Sequence, residues 1–362
     1  MLARIKKHKL IFNSPAGTSR GVMTDRDSWF LIVKSTRNGK NQGIGECAPL
    51  KGLSIDPIPK FTKKLLEVAE KFEHLSMPKD REHIEEMAEK LAPPEFPSIR
   101  FGIETALLDL LNGGKRILFH NDFVKGIEKI PINGLIWMGD RQSMLDQISE
   151  LIAKGFSCLK MKIGTLDFET ECELLHTIRE QFPRNELEVR VDANGAFSLP
   201  EAHVKLEILS VFDLHSIEQP LAPGQIADMK ELCEKSPVPI ALDEELIGTN
   251  QTVDKESLLG TLKPAYIVLK PTLLGGMRST QEWVEVANKL DIGWWITSAL
   301  ESNVGLNAIS QFTYYLNPKN YQGLGTGQLY RNNFPSPLLV DNGFLTYDIK
   351  GEWELSELLQ ET

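Results

Sequence analysis

Hydrophobic and polar positions along the chain change their period about a third of the way in. The first 48 residues read as an antiparallel meander. Ser28-Trp29-Phe30-Leu31-Ile32-Val33-Lys34 is a strand run, and Arg37-Asn38-Gly39-Lys40 carries the Asn-Gly pair favoured in tight hairpins. Gly43-Ile44-Gly45-Glu46-Cys47 returns from it. Two segments flank this sheet, Asn13 to Gly21 and Leu50 to Asp56. Their composition predicts loops, suited either to plain solvated connections or to lids over a substrate. From Pro59 to Leu91 the pattern turns helical and highly charged, as on a solvated helix face. Pro93, Pro94 and Pro97 then break the chain before Ile99 to Asp109. There the apolar residues recur every three or four positions and predict a firmly packed helix, ended by Asn112-Gly113-Gly114.

Beyond Ile130 short strand-like runs alternate with helical ones. The strand candidates are Ile132 to Trp137, Cys158 to Ile163, Leu187 to Asp192, Leu214 to Glu218, Ile240 to Asp243, Tyr266 to Lys270 and Ile292 to Thr297. A weaker one lies near Tyr321 to Leu324, and helical segments such as Ser143 to Lys154 and Phe168 to Gln181 fall between. Eight strands in about 190 residues predict an α/β protein with a compact parallel (β/α) barrel of TIM type, whose chemistry sits at the C-terminal strand ends. The expected organisation is an α+β capping unit with lid loops over residues 1–115, the barrel over 116–334, and a C-terminal segment, 335–362, returning to the cap.

Three of these strands end in an acid: Val191-Asp192, Ile217-Glu218 and Leu242-Asp243. They are 26 and 25 residues apart, about one strand-helix unit each. Carboxylates at the ends of successive barrel strands share one mouth, where a hard divalent cation could sit between their oxygens. Lys160 and Lys162 lie two apart on one strand and so face the same way. Lysines turned into a packed barrel are costly unless anions are near. Mutual repulsion and a nearby dication are expected to lower their pKa values and free a base. Lys270 ends a strand 27 residues after Asp243, continuing the series across the mouth. Each acid also has a plainer reading. Asp192 before Asn194-Gly195 suits a turn, Glu218 an ion pair, and Asp243-Glu244 a helix cap. Taken together they suggest a metal-bound carboxylate substrate whose α-proton is removed to give an enediolate. Arg190 shares the face of Asp192 one layer deeper and is expected to hydrogen-bond the carboxylates beneath the metal.

Composition narrows the partners. A net charge of −10 over 362 residues argues against nucleic acid or an anionic membrane. No apolar run approaches membrane-spanning length. The basic N-terminus has no apolar stretch behind it, so no signal peptide is expected. Cys47, Cys158, Cys172 and Cys233 are scattered without metal-ligand spacing, as free thiols in a reducing, cytoplasmic compartment.

Lys160-Met161-Lys162, Asp192-Ala193-Asn194, Ile217-Glu218-Gln219-Pro220, Leu242-Asp243-Glu244 and Lys270 resemble the enolase superfamily, in its muconate-lactonizing subgroup, over nearly the full chain. The resemblance implies Asp192, Glu218 and Asp243 as ligands of Mg²⁺, with Mn²⁺ able to substitute. It implies Lys162 and Lys270 as the acid/base residues, beside Lys160, and Asn194 and Glu244 as groups orienting the ligands. Ser298-Ala299-Leu300-Glu301-Ser302-Asn303 and Gly323-Leu324-Gly325-Thr326-Gly327 are similar to the seventh- and eighth-strand segments of the o-succinylbenzoate synthase family within that subgroup. This implies that Ser298, Glu301, Ser302, Gly325 and Thr326 meet the substrate. The implied reaction is a syn dehydration of 2-succinyl-6-hydroxy-2,4-cyclohexadiene-1-carboxylate in menaquinone biosynthesis, with a small carboxylate as substrate and the oligomeric state left open. Dipeptide epimerases of the subgroup use an Asp-x-Asp pair where Gly325-Thr326-Gly327 stands here. Mandelate-racemase-like relatives use a histidine near Thr297-Ser298. N-acylamino acid racemase and muconate cycloisomerase share the lysines and ligands and stay open as alternatives. A binding protein that had lost catalysis would show a broken ligand or lysine, and none is broken.

Overall fold

The computed structural model describes residues 1–18, 21–36, 41–164 and 166–360. Strands β1 (Leu2–Thr18), β2 (Gly21–Lys34) and β3 (Gln42–Cys47) form an antiparallel sheet in that order. The unbroken apolar run of β2 is explained by burial on both faces. Trp29, Leu31 and Val33 join the main core, whereas Phe30 and Ile32 pack with Phe334, Leu355 and Leu358 from the end of the chain. The expected loop from Asn13 to Gly21 is largely strand instead. After an irregularity between Ile11 and Ala16, residues Ala16 to Thr18 pair with Gly21 to Met23, because backbone pairing continues past the polar side chains. The expected Asn38-Gly39 turn lies outside the described residues.

Helices α1 (Ile58–Lys71), α2 (Arg81–Leu91) and α3 (Pro97–Leu111) follow. The last is buried nearly all round and touches β3 through glycine. A Cβ on Gly45 would lie 1.9 Å from the Gly102 carbonyl oxygen, and one on Gly102 would lie 2.1 Å from the Cys47 sulfur.

The barrel then runs β4 (Ile130–Pro131), β5 (Gly134–Ile136), α4 (Arg141–Ala153), β6 (Cys158–Lys162), α5 (Phe168–Gln181), β7 (Glu188–Asp192), α6 (Leu199–Leu209), β8 (Ser216–Glu218), α7 (Ile226–Lys235), β9 (Ile240–Leu242), α8 (Thr252–Leu262), β10 (Tyr266–Leu269), α9 (Pro271–Leu274), α10 (Met277–Lys289), β11 (Gly293–Ile296) and α11 (Asn303–Tyr315). Strands β5 to β11 are parallel and each pairs with the next. The weak eighth strand is reduced to Gln322 and Gly323, which bridge to Ile132 on one edge and Thr297 on the other and so close the ring. The Gln322 side chain carries part of that pairing, its Oε1 accepting from the Ile296 amide at 2.7 Å.

The C-terminal segment does two things. β12 (Leu338–Asp341) and β13 (Phe344–Tyr347) form a hairpin that pairs with β4 at the barrel. Then α12 (Ser356–Leu359) reaches the N-terminal sheet, where Arg4 Nη2 donates to the Leu358 carbonyl at 2.7 Å. Just before the hairpin, Leu329 to Arg331 lie along β1, with Asn13 N donating to Leu329 O and Arg331 N to Ile11 O.

Candidate active site

Parallel register assembles the site. Lys162 lies opposite Asp192, and Asp192 opposite Glu218, so three successive strands end level with one another. Asp243 and Lys270 are the first residues beyond β9 and β10. Side chains two apart on a strand share a face, which brings Lys160 and Lys162 into the barrel together.

The acids are almost wholly buried, with Asp192 1% and Glu218 and Asp243 each 2% exposed, so their charges need partners within the protein. Lys160 Nζ donates to both Glu218 oxygens at 2.7 and 2.6 Å and lies 2.9 Å from Asp192 Oδ2. Lys162 Nζ donates to Asp192 Oδ2 at 3.0 Å and to Asn194 Oδ1 at 2.6 Å. Lys270 Nζ is hydrogen-bonded to Asp243 Oδ2. Asn194 ties the group together, its amide donating to Asp192 Oδ1 at 3.0 Å and its Nδ2 to Glu244 Oε1 at 3.1 Å.

These contacts set the protonation behaviour. Burial alone would lower the pKa of Lys160, but the Asp192, Glu218 and Asp243 carboxylates outweigh it and hold it above the ordinary lysine range. Burial and the Asp243 and Glu244 charges act in the same opposed way on Lys270, which is also raised. The expected lowering is therefore reversed at Lys160, because carboxylates crowd it more closely than another ammonium group does. Burial works to raise Asp192, yet Lys160 and Lys162 hold it well below the carboxylate range. Glu218 is pushed up to about 8 by burial and by Asp192, against the attraction of Lys160.

A cavity of about 900 Å³ opens on this cluster. Lys160, Lys162, Asp192, Asn194 and Lys270 form its floor, while Glu218 and Asp243 sit behind the ammonium groups. The wall includes Ser298, Gly325 and Thr326, with the Ser298 and Thr326 hydroxyls 2.6 Å apart. Leu50, Lys51 and Leu53 from the loop after β3, and Met23 to Asp27 of β2, line the outer part.

Three expected site residues are elsewhere. Glu301 is fully buried, accepting from Thr272 Oγ1 and the Ala299 amide, and does not border the cavity. Ser302 caps α11 and donates to Glu46 of β3 at 2.6 Å. The chain turns away from the cavity after Leu300, so Ser302 joins barrel to N-terminal sheet while Glu301 is held within the barrel. Arg190 meets no strand-end acid. It holds Glu188 at 2.7 Å, donates to the Tyr321 carbonyl at 3.1 Å and stacks 4.1 Å over Trp295, because the Lys160 ammonium already occupies the inner side of Asp192 and Glu218.

A family model described as enolase C-terminal domain-like matches residues 143–350. The o-succinylbenzoate synthase of Desulfotalea psychrophila is 45% identical over 361 residues, covering 94% of this chain and 97% of the relative. The chain belongs to the o-succinylbenzoate synthase family of the enolase superfamily. The crystal structure of MenC from Desulfotalea psychrophila superposes with a TM-score of 0.83 at 42% identity, covering 96% of this chain and 99% of that one. An N-succinyl Arg/Lys racemase from Bacillus cereus superposes equally well, with a TM-score of 0.83 over 99% of this chain and 96% of that one. At 19% identity it shares the fold alone. The o-succinylbenzoate synthase fold here is thus the superfamily barrel with its N-terminal α+β part.

Two supporting residues escaped the sequence reading. Gln219 has a left-handed backbone (φ 40°), and its side chain is fully buried. Its Oε1 accepts from the amides of Asp243 and Glu245 at 3.1 and 3.2 Å, and its Nε2 donates to Glu245 Oε2 at 3.1 Å. It thereby fixes the turn that presents Asp243. Its sequence signal was its place in the Ile217-Glu218-Gln219-Pro220 motif, which gave it no role of its own. Arg26 is the other, on β2, where an isolated basic residue in a polar stretch gave no cue.

Proposed function

We propose that the chain is an o-succinylbenzoate synthase, a metal-dependent lyase that dehydrates 2-succinyl-6-hydroxy-2,4-cyclohexadiene-1-carboxylate to o-succinylbenzoate in the cytoplasm, as a step of menaquinone biosynthesis. One observation carries the reading of the site. Lys162 and Lys270 reach one cavity from β6 and from the end of β10, four places apart around the barrel, each in contact with a different strand-end carboxylate. Opposed lysines can attend both faces of a planar enediolate.

Asp192, Glu218 and Asp243 form a set of hard oxygen donors, and the upward shift of Glu218 marks a cluster that favours more positive charge. Among the described residues no three acidic, histidine or cysteine side chains converge on a point, because ammonium groups lie between the carboxylates. Holding a dication requires Lys160 and Lys270 to turn from them. These acids would hold Mg²⁺, or Mn²⁺ in its place, which when bound supplies positive charge to the substrate carboxylate. Asn194 and Glu244 would orient the donors.

Lys162, as the free amine, takes the α-proton, and the C–H electrons pass into the carboxylate to give an enediolate. Lys270, as ammonium, faces the enediolate from the other side and balances its charge. The electrons then return to the ring as the C–OH bond breaks, and Lys162 gives its proton to the departing hydroxyl, which leaves as water. Loss of H and OH from one face lets a single lysine serve both steps. Residues 1–115 would cap the site, with the loop after β3 as its lid, over a catalytic barrel of residues 116–334, and residues 335–362 would return to the cap.

In Lys162→Ala, dehydration should fall by about 10³-fold or more while Mg²⁺ binding by calorimetry stays close to wild type. Retained turnover would remove Lys162 from the chemistry.

A further inference from the structure

Arg26 is 7% exposed, lines the cavity, and makes none of the carboxylate contacts that usually accompany a buried guanidinium among the described residues. Among the described residues its main-chain partners are carbonyls of two separate loops, and its one side-chain neighbour in hydrogen-bond contact is the Tyr330 hydroxyl. Nη1 donates to Ala299 and Leu300 at 2.5 and 2.6 Å, and Nη2 donates to Ala48 at 2.9 Å and to Pro49 at 3.5 Å. The first loop follows β11 and the second follows β3. Both line the cavity beside Arg26 itself.

The Leu300 end is the more telling. Leu300 has φ 64°, a left-handed backbone that a branched side chain adopts only under constraint. Its carbonyl accepts from Arg26 and also from the Tyr330 hydroxyl at 2.6 Å. With the peptide turned this way, the Leu300 amide donates to Ser298 Oγ at 3.1 Å, and that oxygen meets Thr326 Oγ1 at 2.6 Å. Ser298 and Thr326 are the paired hydroxyls on the cavity wall. The surrounding apolar residues, among them Leu10, Leu50, Ala299, Leu300 and Tyr330, form a cluster separate from the main core. A change there can shift both loops without unfolding the barrel.

We infer that Arg26 is a positioning residue that clamps the loop after β3 to the loop after β11 and, through Leu300, sets the Ser298–Thr326 hydroxyl pair for the substrate. The inference rests on the dehydratase reading for its substrate but not for its geometry. A planar fork with several fixed donors can hold two loops at once, which a single ammonium cannot.

The test uses the full chain with Mg²⁺ present and compares wild type with Arg26→Met, Arg26→Lys and Tyr330→Phe. Hydrogen exchange by mass spectrometry reads the loops without reference to turnover, and steady-state kinetics reads the substrate. Arg26→Met should speed exchange in residues 48–53 and 298–302 together, and raise KM about tenfold with kcat within about threefold of wild type. Arg26→Lys should behave like Arg26→Met, since charge without the fork does not bridge the loops. Tyr330→Phe should move both readouts in the same direction by a smaller factor, and it decides the matter if the Arg26 variants do not fold. Wild-type exchange in either loop, a KM that does not follow the exchange, or wild-type behaviour of Arg26→Lys would each overturn the clamp. Failure of wild type to dehydrate the substrate would instead refute the dehydratase reading, leaving the exchange result to judge the clamp.

Discussion

The charged side chains in the barrel mouth are buried or nearly so and pair with one another. Glu218 held by Lys160 and Asp192 held by two lysines are neighbours of opposite fate, one pushed up and one pushed down, because the ammonium groups are shared unevenly. Gln219 belongs to the same layer without carrying charge. Replacing it with Ala strands the amides of Asp243 and Glu245 in the interior, and removing one partner of a buried pair costs the desolvation of the other. Gln219→Ala should weaken Mg²⁺ binding by about tenfold or more, measured by calorimetry, as loss of a ligand-orienting contact does. Unchanged affinity would show that the turn holds Asp243 unaided. The acids and lysines were legible because parallel strands end at regular intervals and a two-residue step fixes the face. Depth was not legible, which is why Arg190 was placed against the wrong carboxylates. Periodicity gives a side chain's direction but not which partner reaches it first.

At the scale of elements, α3 and β3 meet backbone to backbone. The apolar spacing of α3 predicted firm packing, but not that glycines on both partners set the distance. Gly45→Ala should destabilise the fold by about 1–3 kcal/mol in urea unfolding, since its methyl group meets a main-chain oxygen that cannot move aside. A wild-type midpoint would mean that the helix can shift outward. His215, just before β8, stacks on Tyr266 at 4.4 Å, and burial, followed by the Arg190 charge, lowers its pKa from 6.5 to about 4 against the pull of Glu188. The native state therefore resists a proton that the unfolded chain accepts. Stability from this group is complete above pH 6.5 and is lost as the pH falls towards 4, by an amount on the order of 3 kcal/mol. His215→Phe should make the fall in stability over this window shallower than in wild type, as read from urea midpoints at several pH values. Parallel slopes would remove His215 as the source.

Across the whole molecule, the chain's last turn of helix lies against its first strands, and the two residues that close the barrel carry little pairing of their own. The eighth strand was faint in the sequence for that reason. Two bridging residues and a glutamine side chain leave no periodic pattern to read. Of the two residues that lie away from the cavity, Ser302 holds the N-terminal sheet to the barrel through Glu46, and Glu301 accepts from Thr272 within the barrel. Similarity to a family's strand segments points to this loop but not to which of its residues border the cavity. The central claim is that the opposed lysines and the three acids dehydrate one particular carboxylate. The direct measurement supplies the purified chain and Mg²⁺ with the hydroxycyclohexadiene dicarboxylate, and in parallel with N-succinylamino acids and dipeptides. The account predicts rapid appearance of o-succinylbenzoate, abolished in Lys162→Ala, with epimerisation of dipeptides absent. No dehydration by wild type, or faster turnover of another substrate class, would contradict it.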